Sequence, residues 1–220
     1  FTQALCEVCA VVETDVRALA ARLSPSPQVV ALSATSLDGV LEDITRAGAA
    51  LGVEADAEEF VAGARNRMLR VHETLKAAKA PRPRTAVIEW GEPLYAAGHW
   101  VPEMVKRAGG IDVLAKPGEH SVVVTMEQVR ASNPEVILIA PCGYDLPRAV
   151  EEGERLLALP EWQWARERSV FALDANAFAS RPGPRLIDGI EVMARLFNPS
   201  LFTPVDPLFA QPLTAAARSA

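Results

Sequence analysis

Residues 136–140 read Val-Ile-Leu-Ile-Ala, an unbroken apolar run set between Asn133-Pro134 and Pro141-Cys142-Gly143. A strand with no polar face has to be covered on both sides, which is the environment of a parallel sheet between helices. The neighbouring sequence supplies the covers and further strands. Residues 85–89 read as a strand and 100–108 as a helix stopped by Gly109-Gly110. Residues 122–124 form a short strand, and Thr125 with Gln128 three residues on is a capping-box signature for the next helix. Helix 146–159 follows the apolar run, then a short aromatic helix around Trp162 and Trp164. Strand 170–173 and helix 184–197 complete the series, with Asn198-Pro199 as the stop. Strands alternating with helices predict an α/β fold with a parallel, doubly wound sheet. The proline-rich tail from Ser200 onward is expected to be loosely ordered.

The first part of the chain has the same rhythm but fewer elements. Residues 1–12 are expected to end a strand and enter a loop carrying Cys6 and Cys9. A helix is expected over 14–23, with Val16, Leu19, Ala20 and Leu23 at helical spacing, ended by Ser-Pro-Ser-Pro. Residues 29–32 suggest a short buried strand. Residues 37–51 suggest a helix with Ser36 as N-cap and Gly52 as its stop. The longest helical stretch, 56–79, places Phe60, Val61, Ala64, Met68, Val71 and Leu75 on one stripe and would be ~35 Å long. It runs into Ala80-Pro81-Arg82-Pro83, a stiff junction. The expected organisation is a partial N-terminal α/β lobe (1–55), an interlobe helix (56–80), a C-terminal α/β lobe (81–198) and a flexible tail (199–220). Two strands do not make an independent sheet, so the first lobe is expected to be incomplete and to continue into a portion absent from this sequence.

Composition excludes some functions. With 28 acidic against 22 basic residues and a net charge of −6, the chain lacks the basic stripe of a nucleic-acid binder. No apolar run approaches the ~20 residues that span a bilayer. The phosphate-loop, dinucleotide, serine-hydrolase and metallopeptidase signatures are absent, and no nucleophile–base pair stands out. The chain is therefore expected to be a binding protein rather than an enzyme, with no cofactor of its own.

Ligands of open α/β sheets bind at the loops after the carboxyl ends of strands. The segment after strand 85–89 holds Trp90, Glu92, Tyr95, His99 and Trp100, which suits an aromatic-walled pocket with a few polar groups. The alternative is that the tryptophans anchor the core and His99 caps a helix. After strand 136–140 come Cys142, Gly143, Tyr144 and Asp145, either a ligand loop or a plain turn with Asp145 as N-cap. After strand 170–173 comes a long loop with Asn176, Phe178, Arg181 and Arg185, which meets a ligand carboxylate or amide unless it is only solvated surface. Cys6 and Cys9 form a CxxC. It lacks the second half of a zinc motif and is read first as packed thiols, with redox or metal chemistry as the alternatives. His72 reads as a helix-face residue. His120 follows Pro117-Gly118 in a loop that nothing in the sequence positions.

Together these segments resemble a family. Ala34-Thr35-Ser36-Leu37, the 56–79 helix ending in a proline-rich basic junction, Trp90-Gly91-Glu92-Pro93 through Gly98-His99-Trp100 with Ala108-Gly109-Gly110, and Asn176-Ala177-Phe178 with Pro184-Arg185 are similar to corresponding parts of the substrate-binding proteins of ABC importers for cobalamin and iron chelates. The Cys6–Cys9 loop resembles a variant in the cobalamin-binding subgroup. The resemblance implies two Rossmann-like lobes with parallel sheets joined by one long rigid interlobe helix. It implies a monomer outside the cytoplasmic membrane that captures cobalamin between its lobes and delivers it to a permease and its ATPase.

On that reading Trp90, Trp100, Tyr144 and Phe178 pack on the ligand, and Glu92, Asn176 and Arg181 hydrogen-bond peripheral amides. His99, or in second place Cys142, approaches the metal, with Ser36 and Cys6 contributing from the first lobe. The alternatives are a siderophore or heme carrier and, from another class, a CxxC oxidoreductase or chelate-processing enzyme.

Overall fold

The computed structural model describes residues 1–3, 11 and 13–218; Cys6 and Cys9 lie outside the described residues, so their expected roles stay expectations. The chain divides into two compact units, Phe1–Gly63 and Ala64–Ala220.

In the first unit, α1 spans Glu13–Ala20 and α2 spans Leu37–Leu51. The caps of α2 are those read from sequence. Ser36 accepts from the Gly39 N–H, and Gly52 closes the helix in the left-handed region at φ 70°. Helix α1 stops short of residue 23: the Ser26 hydroxyl takes the Ala20 carbonyl, and tight turns replace the last helical turn. Its expected stripe is corrected too, since only Ala20 is buried while Leu19 and Leu23 are exposed. The strand expected at 29–32 is reduced to one parallel bridge between Thr2 and Ala31. The Ala31 carbonyl is claimed by the Arg46 guanidinium at 2.9 Å, so a side chain occupies a position that a ladder would need.

Helix α3 spans Glu54–Ala77. Its buried stripe is Ala57, Val61, Ala64, Met68 and Val71, spaced 4, 3, 4, 3 as one helical face requires. Phe60 sits beside that face and is exposed, which corrects its place in the stripe, and Leu75 is half-buried. His72 is exposed, as expected of a helix-face residue.

The second unit holds a seven-stranded, mostly parallel sheet. Its members are β1 (Arg84–Gly91), β2 (Leu94–Ala96), β3 (Ile111–Asp112), β4 (Val122–Val123), β5 (Val136–Ile139), β6 (Ser169–Leu173) and β7 (Ala210–Pro212). The order is β4-β2-β1-β5-β6-β7, with β3 also pairing β1. The central β1, β5 and β6 run parallel, while β2, β4 and β7 add antiparallel edges. Helices α4 (Val101–Arg107), α5 (Met126–Ala131), α6 (Leu146–Ala158), the single turn α7 (Ala175–Phe178), α8 (Leu186–Phe197) and α9 (Ala215–Arg218) surround it. All four residues of β5 are buried, as their composition demands. One face packs Ala86, Ile88, Ile137, Ile139 and Val170 against Val129, Leu156, Leu157 and Trp162. The capping box at Thr125 and Gln128 is complete.

Two expectations are corrected. The segment after residue 89 is not an open loop: β1 runs on to Gly91 and turns back through Glu92-Pro93 into β2, with Trp90 opposite Tyr95. The tail is not loose. Strand β7 pairs with β6, and Thr214 donates to the Arg168 carbonyl at 2.7 Å and accepts from the Val170 N–H at 3.2 Å. Without it the buried strand β6 would present an unpaired edge.

Candidate functional site at the carboxyl edge of the sheet

Because β1, β5 and β6 are parallel, their carboxyl ends share one edge and the segments following them meet there. Hydrogen bonds tie these segments together. The Cys142 N–H reaches the Glu89 carbonyl at 3.1 Å, and the Asn176 N–H reaches the Tyr144 carbonyl at 2.9 Å. The Gly143 N–H reaches the Ser180 hydroxyl at 2.9 Å. The Trp100 indole N–H reaches the Ala179 carbonyl at 2.7 Å.

One side of this rim is aromatic. The ring of Trp90, 39% exposed, stands edge-on to Tyr144 with centroids 5.6 Å apart. The Arg148 guanidinium lies 3.9 Å above the Tyr144 ring. Trp90 and Tyr144, with Gly91, Glu92, Pro141, Glu152 and Arg155, line a recess of about 190 Å³. Two of these lining residues form a forked ion pair, Arg155 to both Glu152 oxygens at 2.8 Å, and that hydrogen-bonded pairing raises the Arg155 pKa. The exposed Glu92 gives its backbone carbonyl to the Trp90 indole.

Across the strand lies a polar cluster. The register between β1 and β2 slips between Ile88 and Trp90, leaving Glu89 as the bulged residue, and bulges re-aim side chains near sites. The Ser121 hydroxyl donates to the Glu89 carboxylate and accepts from the Gly98 N–H. A Cβ at residue 98 would sit 2.3 Å from the Ser121 nitrogen, so only glycine lets the 118–121 segment pack there. His99 follows in the left-handed region at φ 55°. Its Nε2 lies 3.1 Å from His120 Nδ1, a hydrogen bond in which one ring donates an N–H to the unprotonated nitrogen of the other. Burial lowers the His99 pKa, His120 lowers it further, and Glu89 opposes both. Burial and His120 both favour the neutral form of His99, which carries one N–H and one nitrogen lone pair. No group of three or more His, Cys, Asp or Glu able to hold a metal ion occurs among the described residues.

The third segment is more ordered than a surface loop. Asp174 caps α7, and Arg181 donates to the Asn176 side chain at 3.1 Å. The sequence-derived set therefore divides. Trp90, Glu92, Tyr144, Cys142, Asn176 and Arg181 lie on the rim, with His99 in the polar cluster beside it. Trp100 and Phe178 do not present faces to a ligand. Trp100 is 6% exposed with its indole N–H spent on Ala179, and Phe178 is 6% exposed and packs edge-on to Phe209 at 5.0 Å. Both are anchors, the alternative reading for the tryptophans. Asp145 is the N-cap of α6. Ser36 spends its side chain as the N-cap of α2 in the first unit. Sequence reasoning passed over Glu89, Ser121, Arg148, Glu152 and Arg155, and left His120 without a place. Arg155 three residues after Glu152 is a helical spacing that signals contact; Tyr144 precedes the cap of α6, so its contact with Arg148, like the bulge at Glu89, has no such signal.

No curated protein matches the chain by sequence. Solved structures do match in fold. An ABC transporter substrate-binding protein from Listeria monocytogenes EGD-e is 18% identical with a TM-score of 0.69, over 83% of this chain and 72% of that one. A periplasmic heme binding protein from Pseudomonas aeruginosa is 25% identical with a TM-score of 0.68, over 86% and 70%. A periplasmic binding protein from Veillonella parvula dsm 2008 is 23% identical with a TM-score of 0.64, over 76% of this chain and 61% of that one. A family model described as periplasmic binding protein matches residues 10–177, most of the sequence, and the chain belongs to that family.

Proposed function

We propose that the chain captures a metal tetrapyrrole, a heme or a corrinoid, outside the cytoplasmic membrane and delivers it to an ABC permease and its ATPase. The observation that carries this reading is the His99–His120 pair. It puts a neutral-leaning imidazole on the same carboxyl edge of the sheet as the exposed Trp90 ring and the half-buried Tyr144 ring. A flat chelate buries its faces on aromatic surface and takes an axial nitrogen donor. The similarity to the Pseudomonas aeruginosa heme binding protein favours heme over the corrinoid that the Trp90–Trp100 segment first suggests.

The test is a visible-absorption titration with heme and with cobalamin, in the wild type and in His99→Ala and His120→Ala. A shifted Soret band in the wild type that reverts toward solvent-exposed heme in either variant supports coordination by the pair. Identical spectra in all three proteins refute coordination. No spectral change with either chelate refutes the tetrapyrrole reading.

A further inference from the structure

The amino edge of the sheet, opposite the rim, carries its own group of charged side chains. Arg84 opens β1 and Arg82 stands two residues before it. Arg130 lies in the last turn of α5, ahead of β5, and Arg166 and Arg168 lead into β6. Because β1, β5 and β6 are parallel neighbours, these segments meet at one edge. The Arg84 guanidinium donates to the Ser132 and Asn133 carbonyls, and Arg168 donates to the Asn133 side chain at 3.0 Å. The Asn133 N–H in turn reaches the Arg130 carbonyl at 3.0 Å. The five arginines are scattered between residues 82 and 168, so no basic stripe in the sequence announces them.

Helices that return against parallel strands end at this edge, and a cation beside a helix carboxyl end is favoured by the dipole. That explains why Arg84 takes the carbonyl after α5 and why Arg166 takes the Leu157 carbonyl in the last turn of α6 at 3.1 Å. It does not neutralise them, because a helix end carries only about half a charge. Arg82 donates to the Gly110 carbonyl at 3.0 Å, and the Arg168 Nε has no acceptor among the described residues. None of the five forms an ion pair among the described residues. Of the neighbouring acids, Glu135 gives its carboxylate to the Arg84 backbone N–H at 2.9 Å, and Glu167 is exposed. Five cations against these two acids make a positive edge on a chain of net charge −6.

We infer that this edge rests on an anionic phospholipid surface. The cations come from the starts of three adjacent strands, which at a spacing of ~4.8 Å spread them along a strip rather than into a pocket. Trp162 is buried and Trp164 half-buried, so no exposed ring from the segment before β6 joins the strip, which reads phosphate charge and offers no stacking platform for bases. No helix of the described residues is long and apolar enough to cross a membrane, so this contact is peripheral and electrostatic. On the import reading above it raises the concentration of the chain beside a membrane-embedded permease. It is independent of which ligand the rim takes.

The test is cosedimentation of the whole chain with vesicles of phosphatidylcholine alone and of phosphatidylcholine mixed equally with phosphatidylglycerol, at low and at moderate salt. The wild type is expected to sediment with the mixed vesicles only, and less so as salt rises. Arg130→Gln is expected to lose about fivefold in affinity and Arg82→Gln/Arg130→Gln roughly thirtyfold. Arg65→Gln, which removes a charge several turns before the end of α3, is expected to lose less than about twofold. Arg82→Lys/Arg130→Lys keeps the charge and is expected to bind like the wild type. No sedimentation with the mixed vesicles at low salt, or equal sedimentation with both kinds, overturns the inference. So does a loss in Arg65→Gln as large as in Arg130→Gln, which would make net charge the cause, or a loss in the lysine pair as large as in the glutamine pair, which would make it structural. Binding of a double-stranded DNA oligomer as tight as that of the mixed vesicles overturns it in favour of a general polyanion site. Each of these outcomes leaves the chelate reading untouched, since that is read by absorption titration.

Discussion

Replacing Trp100 with Phe separates two roles that the sequence leaves open. In the structure the indole is 6% exposed, and its N–H spans 2.7 Å to the Ala179 carbonyl, so the ring pins the segment after β6 to the start of α4. Phenylalanine keeps an aromatic ring but removes the donor. The lost bond contributes about 1 kcal/mol, and the buried carbonyl left without a partner costs about 1–3 kcal/mol. A total near 2–4 kcal/mol corresponds to a Tm lowered by roughly 4–16 °C for a unit of this size. Guanidinium denaturation followed by tryptophan fluorescence is the assay, since all four tryptophans lie in the second unit. The midpoint should fall with an unchanged m-value, and chelate affinity measured well below the midpoint should change less than twofold. A variant as stable as the wild type that loses tenfold in affinity would show that Trp100 faces the ligand, and would refute the anchor argument.

Other perturbations have defined signs. Burial raises the Asp112 pKa from 3.8 to about 6, against the two backbone N–H bonds it accepts, and its Oδ2 has no partner among the described residues. The native state therefore holds a proton that the unfolded chain releases, and stability falls as pH rises from about 4 to 6, by at most about 3 kcal/mol; this slope should flatten in Asp112→Asn. Arg67 bonds Asp188 and Glu191, tying α3 to α8, so Arg67→Ala should cost about 1–2 kcal/mol after allowance for partial exposure. Arg67 lowers the Glu191 pKa, so the pair's contribution is present above the unfolded carboxylate value and lost as pH falls through the native one; the cost of Arg67→Ala should shrink in acid. A Cβ at Gly189 would meet the Phe178 carbonyl at 2.5 Å and Met104 Cε at 2.7 Å. Gly189→Ala should therefore cost about 1–3 kcal/mol and weaken chelate binding by displacing the 174–181 segment, readable by denaturation and titration on one sample.

Much of this was legible in local sequence. The run at 136–140 demanded cover on both faces, and residues 136–139 of it became β5. Ser36 with Gly52, and Thr125 with Gln128, announced helix ends because capping is settled within four residues. The placement of candidate groups after parallel strands followed from the α/β rhythm, which is why Trp90, Tyr144, Asn176 and Arg181 fall on one rim.

The tertiary structure decided which aromatic faces outward and which anchors. Trp90 and Trp100 have the same chemistry and lie ten residues apart, but only Trp100 finds a buried carbonyl, on a segment 79 residues later. The same holds for the tail, whose prolines suggested disorder until the unpaired edge of β6 supplied a partner. His120 was a loop histidine in the sequence. It becomes half of an imidazole pair because a glycine at 98 and a bulge at Glu89 let the 118–121 segment close on His99. Spacing rules read contacts within a helix turn or a hairpin. A packing partner dozens of residues away is fixed only when the sheet brings the strand ends together.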